Sequence, residues 1–196
     1  MKLDEYAVVR SGLVLSRKES KEPTDFRYDL LTLRALPPEG VIETGELETF
    51  YAKEPLNSEY LTRNGDLIIR LTMPYTAVLI TKNEENIVVS SNFAIIRCRA
   101  NSTLLPEYLF WYLNTPRSKQ RIYESTTGNM LCAVKPRYFA DMEIEVPSSE
   151  RQLKTAALDR LGRREARLLR RLADEKEKYI RLVTESMQHQ SKEILK

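Results

Sequence analysis

Basic, hydroxyl and amide side chains cluster in three stretches of the sequence whose composition is that of loops. Arginine can pair with the edge of guanine and asparagine with the edge of adenine, whereas serine, threonine and backbone N–H groups hold phosphates. These groups suit contact with DNA, although by composition alone ordinary solvent-exposed loops are the more common explanation. The residues are Arg17, Lys18 and Lys21; Arg70, Thr72 and Tyr75; and Ser125, Thr126, Thr127, Gly128 and Asn129, followed by Lys135 and Arg137.

Residues suited to catalysis are scarce in this sequence. His189 is the only histidine and lies near the end of a polar helical stretch, which argues against a Ser-His-Asp triad. Cys98 and Cys132 are too few and too far apart for a zinc motif, and their apolar neighbours predict buried free thiols. There is no glycine-rich phosphate loop or cofactor fingerprint, and Asp66 follows an Asn-Gly turn, where an aspartate is usually structural. We therefore expect no catalytic residue, metal or cofactor in this chain.

One compact domain over residues 1–148 is expected to position the three loop stretches. Its apolar segments are short, rich in β-branched residues and separated by turns, which predicts a mixed α+β fold with mainly antiparallel strands and short helices. A hairpin formed by 66–71 and 76–80 is expected to continue into a meander through 87–89 and 92–98. Further strands are predicted at 6–10, 26–33, 131–134 and 142–146, helices at Pro106–Asn114 and Pro116–Glu124, and a helical turn at 136–139.

A long helix is predicted from Ser149 to about Glu193, in a second region that covers residues 149–196. The stretch has no proline, a single glycine and many strong helix formers, so the helix would be roughly 65 Å long. Apolar residues recur at steps of three and four, and one helix cannot bury such a seam alone. We expect a partner helix, although packing on the chain's own domain is an alternative. The seam residues expected at the interface are Leu158, Leu161, Leu168, Leu172, Tyr179, Leu182 and Val183.

Charge is divided unevenly between the two regions. Residues 1–149 carry 18 Lys and Arg against 20 Asp and Glu, whereas residues 150–196 carry 13 against 8. The basic helix favours phosphates or acidic partners, although a solvated charged surface is an equally ordinary explanation. Phosphate neutralisation supplies most non-specific DNA affinity, so the acidic first region would need either a selective site or a basic partner. With no long apolar run and no signal-like N-terminus, we expect no membrane span and a cytoplasmic location.

The order of motifs along the chain resembles a half-length specificity (S) subunit of type I restriction–modification systems. Such a half has one target recognition domain and one long spacer helix. Two short patterns contribute, Gly-Asp-Leu-Ile at 65–68 and Pro-x-x-Glu-x-Gln at 147–152; each is weak alone and fairly specific in this order and spacing. The matching segments are 3–12, 60–70, 90–97, 106–113, 125–129 and 142–152, which lead into the helix and cover nearly the whole chain.

The resemblance implies a subunit that selects the DNA sequence while other subunits carry out the chemistry. In that family two recognition domains each read one half of a split target, and two spacer helices pair as an antiparallel coiled coil that sets the gap. The helices also dock modification subunits, which transfer a methyl group from S-adenosylmethionine to adenine, and a restriction subunit can join them. S-adenosylmethionine would therefore bind the partner and not this chain.

The chain departs from the family in length, because a complete S subunit has two recognition domains and two helices. We expect two copies to pair through residues 150–193, and two-fold symmetry would then make the target a split palindrome. Pairing with a different S fragment is an alternative. A structural adaptor that binds no DNA, or a truncated inactive copy, is a further alternative that the acidic first region favours.

Overall fold

Two compact units divide the chain, Met1–Lys154 and Thr155–Lys196. The computed structural model describes residues 1–126 and 133–193, with side chains described as far as residue 187. The first unit is an α+β domain and the second continues a long C-terminal helix, as the sequence predicts. The boundary falls a few residues inside the helix, because the first helical turn packs into the domain.

Along the described chain, the strands come first and the α-helices follow. The strands are β1 (Ala7–Ser11), β2 (Arg27–Leu31), β3 (Glu48–Tyr51), β4 (Leu67–Arg70), β5 (Ala77–Leu79), β6 (Val88–Val89) and β7 (Phe93–Cys98). The helices are α1 (Pro106–Asn114), α2 (Pro116–Glu124), α3 (Pro136–Asp141) and α4 (Ser149–Glu193). Short 3-10 turns at Leu3–Glu5, Leu15–Arg17, Thr44–Glu46, Ser58–Tyr60 and Lys82–Glu84 connect them.

The first sheet is antiparallel throughout, in the order β1-β7-β4-β5. The predicted hairpin is present, with Leu67 opposite Leu79 and Ile69 opposite Ala77. Strand β4 lies in the middle of the sheet and is buried on both faces: Leu67 and Ile69 pack with the helices, whereas Ile68 packs towards the second sheet. This double burial explains the uninterrupted apolar run of β4, since each face of the strand needs apolar side chains.

The predicted meander is wrong in one respect, because β6 does not join the first sheet. It pairs in parallel with β2, with Leu30 opposite Val88, in a second sheet of order β3-β2-β6. Val88 and Val89 are both buried, one on each face of this second sheet. Such a residue pair is compatible with either sheet, so its apolar composition did not identify the partner strand.

The N-terminus and the segment before α4 pack together. The strand predicted at 142–146 is reduced to a bridge between Lys2 and Glu143, supported by backbone hydrogen bonds from Leu3 to Met142 and from Ile144 to Met1. The strand predicted at 131–134 falls partly outside the described residues. The helical turn predicted at 136–139 is the helix α3.

Gly12 lies directly against the backbone carbonyl group of Ser90. A Cβ at this position would collide with that carbonyl group, so the close approach requires glycine.

Gln152, in the first turn of α4, is fully buried and donates to the carbonyl oxygens of Thr103 and Pro147, both at 2.9 Å. Its side-chain oxygen accepts from the N–H of Leu105 at 2.9 Å. The Gln at the end of the Pro-x-x-Glu-x-Gln pattern thus ties the helix start to the segment before α1.

Candidate nucleic-acid interface

The loop after β4 carries three of the predicted DNA-binding residues, and two of them are engaged inside the domain. The Arg70 guanidinium donates to the carbonyl oxygens of Leu33 and Leu36, at 3.2 Å and 3.0 Å. Its partial burial lowers the pKa of the guanidinium from the ordinary value. Tyr75 has a positive φ and is 2% exposed, with its ring in the main core. Thr72 is half-buried and accepts a backbone hydrogen bond from Tyr75. In this arrangement Tyr75 is buried in the core, whereas Arg70 is half-buried with its Nη1 bonded to backbone carbonyl oxygens.

The structure brings this loop beside the third predicted stretch. The N–H of Val134 donates to the carbonyl oxygen of Leu71 at 2.8 Å, so the chain that leads into α3 runs next to the end of β4. Ser125 is exposed and lies within hydrogen-bonding reach of Tyr138 in α3, whose phenol pKa is raised chiefly by burial. The second and third predicted stretches therefore belong to one region of the surface. Thr127, Gly128 and Asn129 lie outside the described residues.

The remaining residues of this region differ in how available their side chains are. Thr126 is buried and its hydroxyl donates to the carbonyl oxygen of Tyr123 at 2.7 Å. Lys135 is exposed. Arg137 is exposed too, but its guanidinium makes a two-pronged contact with Asp141 at 2.7 and 3.1 Å, which raises the pKa of Arg137. The Ser125 hydroxyl donates to the carbonyl oxygen of Ile122 at 2.6 Å. Lys135 is thus the residue of this group whose position best suits contact with a phosphate.

The first predicted stretch lies elsewhere in the domain, along the end of β3. Glu19 forms a bridge with Ala52, and Lys18 is ion-paired with Glu54, which lowers the pKa of the Glu54 carboxyl group. Arg17 and Lys21 are exposed. No described contact joins this stretch to the other two.

A cleft that the sequence did not reveal lies on the first sheet, towards the Asp66 end of β4. Its volume is about 320 Å³, and three arginines line it together with a short polar segment. The lining residues are Val8, Arg10, Asn57, Ser58, Glu59, Arg63, Ile95 and Arg97. The arginines are separated by more than thirty positions in the sequence, so only the strand pairing shows that they are neighbours.

Asp66 anchors the wall of this cleft. Its carboxylate is almost completely buried and accepts two hydrogen bonds from Arg97, at 2.7 and 2.6 Å, and one from the Arg63 N–H at 2.9 Å. The hydrogen bonds to Asp66 raise the pKa of the Arg97 guanidinium. The structural role expected for this aspartate agrees with these contacts.

Groups for metal or redox chemistry are not assembled in the part of the chain that the structure describes. Among the described side chains of residues 1–126 and 133–187, no cluster of three or more His, Cys, Asp or Glu is arranged to hold a metal ion. Cys98 is a free thiol, and burial raises its pKa from 9.0 to about 11, so it is held in the neutral form. Among the described helices, none combines the length and apolar character needed to cross a membrane.

The seam of α4 lies open along the second unit. The six predicted interface residues that are large and exposed range from 54% to 73% exposed, and Val183 is half-buried. Leu169, Ile180 and Met187 widen the same apolar surface and are about as exposed. The six are Leu158, Leu161, Leu168, Leu172, Tyr179 and Leu182.

The fold defined by this domain and its helix is that of the specificity subunits of type I restriction–modification systems. No family model matches the sequence, and no curated protein matches it. The HsdS subunit from Thermoanaerobacter tengcongensis superposes with a TM-score of 0.67 at 20% identity, over 93% of this chain and 46% of that one.

Two further solved structures show the same fold. A chain from a type I restriction–modification system, solved to study complex assembly and conformational transition, gives a TM-score of 0.67 at 20% identity, over 91% of this chain and 45% of that one. The S subunit from M. genitalium gives 0.50 at 14% identity, over 82% and 37%. This chain therefore spans less than half the length of the specificity subunits whose fold it shares.

Proposed function

We propose that this chain is the DNA-recognition subunit of a type I restriction–modification complex and acts as a homodimer. Each domain reads one half of a split target, and the paired helices hold the two domains apart. Modification subunits dock on the helices and transfer methyl groups from S-adenosylmethionine to adenine, so this chain itself carries out no reaction. A restriction subunit is a further possible partner.

One observation carries the proposal: a single domain and a single 45-residue helix match less than half of a specificity subunit. A second copy of the chain, paired through the exposed seam of α4, would supply a second domain for a second half-target. The match in fold covers both parts of this chain, including the helix through which copies would pair.

The open seam of α4 supports pairing between helices. Burial of one leucine side chain contributes about 1.5–3 kcal/mol, so the five seam leucines of each copy would contribute roughly 8–15 kcal/mol before the costs of association. An antiparallel pair satisfies two-fold symmetry and places one domain at each end. Because the symmetry of a target mirrors the symmetry of its reader, the expected target is a palindrome interrupted by a non-specific spacer.

A second candidate function is a structural adaptor, or an inactive copy that binds no DNA. The observation that favours it is the excess of acidic over basic residues in residues 1–149. A domain of this charge has little general affinity for a phosphate backbone, so its DNA binding would depend on local basic sites.

The test is to co-express the chain with a modification subunit of the same system in a host without adenine methylation. Methyladenine would then be mapped across the host genome by single-molecule sequencing. A split palindromic motif is the expected result and would also give the spacer length. A split asymmetric motif would overturn the homodimer and require a different S fragment as partner. Absence of methylation, with the modification subunit active beside another S subunit, would favour the adaptor.

A further inference from the structure

We propose that the arginine cleft on the first sheet binds a phosphate of the target DNA backbone. The inference rests on the proposed DNA-recognition function and adds a phosphate contact away from the loop residues. It begins with strand geometry: on β1 and β7, Val8 lies opposite Arg97 and Arg10 opposite Ile95. Residues at alternate positions of a strand share one face, so Arg10 and Arg97 project from the same side of the sheet as diagonal neighbours.

Hydrogen-bond donors outnumber acceptors in the cleft. The Nε and Nη2 groups of Arg97 donate hydrogen bonds to the Asp66 carboxylate. The Nη1 group of Arg97 has no hydrogen-bond partner among the described residues. The Nη2 group of Arg63 donates to Ser58. The Nε and Nη1 groups of Arg63 form no hydrogen bond with the described residues. Asn57 accepts from the Glu59 N–H through its side-chain oxygen, which leaves the amide nitrogen as a donor. A phosphodiester needs this kind of surface, because its oxygens only accept hydrogen bonds.

The charge of the cleft is positive although the domain as a whole is not. Glu59 pairs with Arg10, and Asp66 lies beneath Arg97, so the positive charge of Arg63 is the one that no described carboxylate neutralises. A net charge of one matches the single negative charge of a phosphodiester. Asp66 also holds Arg97 in place before any ligand arrives, so that little side-chain entropy is lost on binding.

The cleft and the loop after β4 are separate parts of the domain surface. In the register of β4 and β7, Leu67 lies opposite Ile96 and Arg70 opposite Phe93, so the cleft is at the opposite end of β4 from the loop. The separation along the strand is roughly 10 Å. A phosphate contact in the cleft would fix the position of the domain on the duplex without itself reading the sequence.

The test compares Arg63→Ala with Arg34→Ala in the full-length chain. Arg34 is also an exposed arginine of the domain, paired with Glu48 outside the cleft, so both variants remove the same charge. Fluorescence anisotropy with a short duplex that carries a half-site of the motif found by methylation mapping would give the dissociation constant at several salt concentrations. Thermal unfolding monitored by circular dichroism would establish that both variants fold.

Loss of one phosphate contact should reduce the slope of log K against log salt by about 0.9 for each bound copy, and weaken binding about eightfold at about 0.1 M salt. Arg34→Ala should leave both quantities unchanged. Equal slopes for wild type and Arg63→Ala would overturn the cleft inference alone. A wild-type chain with no affinity for duplex DNA would overturn it together with the proposed function. Unchanged DNA binding with lost assembly of the modification subunit would assign the cleft to an acidic protein surface instead.

Discussion

Asp66 is the one charged residue among the buried polar side chains that the structure describes, and its environment predicts a large effect on stability. Asp66→Ala would leave the half-buried Arg97 without its counter-charge and the Arg63 N–H without its acceptor. Breaking a buried ion pair by removing one partner costs about 3–5 kcal/mol. We expect urea denaturation to show a loss of this size. Asp141→Ala, at an exposed ion pair, is the matched control and should change the midpoint little; equal losses in both variants would contradict the assigned role of Asp66.

The reactivity of the Cys98 thiol is expected to depend on pH and on folding. Because burial raises the thiol pKa to about 11, the folded protein holds Cys98 neutral where an unfolded chain begins to ionise at about pH 9. The resulting stability is fully present below about pH 9 and is lost as the pH rises through 11. At about pH 8 the thiolate fraction in the folded protein is about a hundredfold lower than in the unfolded chain.

Alkylation with iodoacetamide measures this difference. In a Cys132→Ser background, native protein should react at about one hundredth of the rate seen in urea, or more slowly where access is also limited. Native and unfolded rates that agree within a few fold would show that Cys98 is not held neutral by its surroundings.

At the level of elements, the exposed seam of α4 predicts self-association that depends on particular leucines. Leu168→Arg combined with Leu172→Arg would put two charges from each copy into the interface and remove at least about 3 kcal/mol per copy, or about 6 kcal/mol per dimer, which is on the order of 10⁴-fold in Kd. Glu177→Arg is the control, because nine residues from Leu168 place it on the opposite side of the helix. Sedimentation equilibrium should show monomers for the double variant and dimers for the control. Dimers in both would exclude this seam as the interface.

Elements with local signals could be predicted from the sequence, and elements that depend on a distant partner could not. Helix α4 begins at Ser149, directly after the flanking Pro147 segment, and continues to the limit of the described residues at Glu193; α1 begins at Pro106 as expected. The hairpin of β4 and β5 is local and was also predicted. By contrast, β6 pairs with β2 almost sixty residues earlier, and the segment at 142–146 pairs with the N-terminus only through a bridge. Strand propensity measures fit to a half-buried surface and carries no information about which strand is the neighbour.

At the level of the whole molecule, the candidate site could be predicted only in part, because it combines residues that are distant in the sequence. The composition of the loops predicted DNA contacts for Arg70 and Tyr75. In the structure Arg70 is bonded to a backbone carbonyl oxygen of the domain and Tyr75 is buried. The arginine cleft joins β1, the turn before β4, and β7, and none of its three arginines stands in a basic cluster along the chain. Such a site depends on register, because a shift of one residue would turn Arg10 and Arg97 to opposite faces of the sheet.

Two-fold pairing also predicts how affinity depends on the length of the DNA target. When a dimer holds one half-site, its second domain meets the other half-site at an effective concentration in the millimolar range, which raises overall affinity by about 10²–10⁴. The wild-type chain should therefore bind a duplex with both half-sites that much more tightly than a duplex with one. The variant with Leu168→Arg and Leu172→Arg should bind both duplexes equally, at the affinity of a single domain. Titration of the two duplexes with both proteins measures this, once genome-wide methylation has given the motif. A wild-type chain that does not distinguish the two duplexes would refute the homodimeric reader, even if each domain binds DNA.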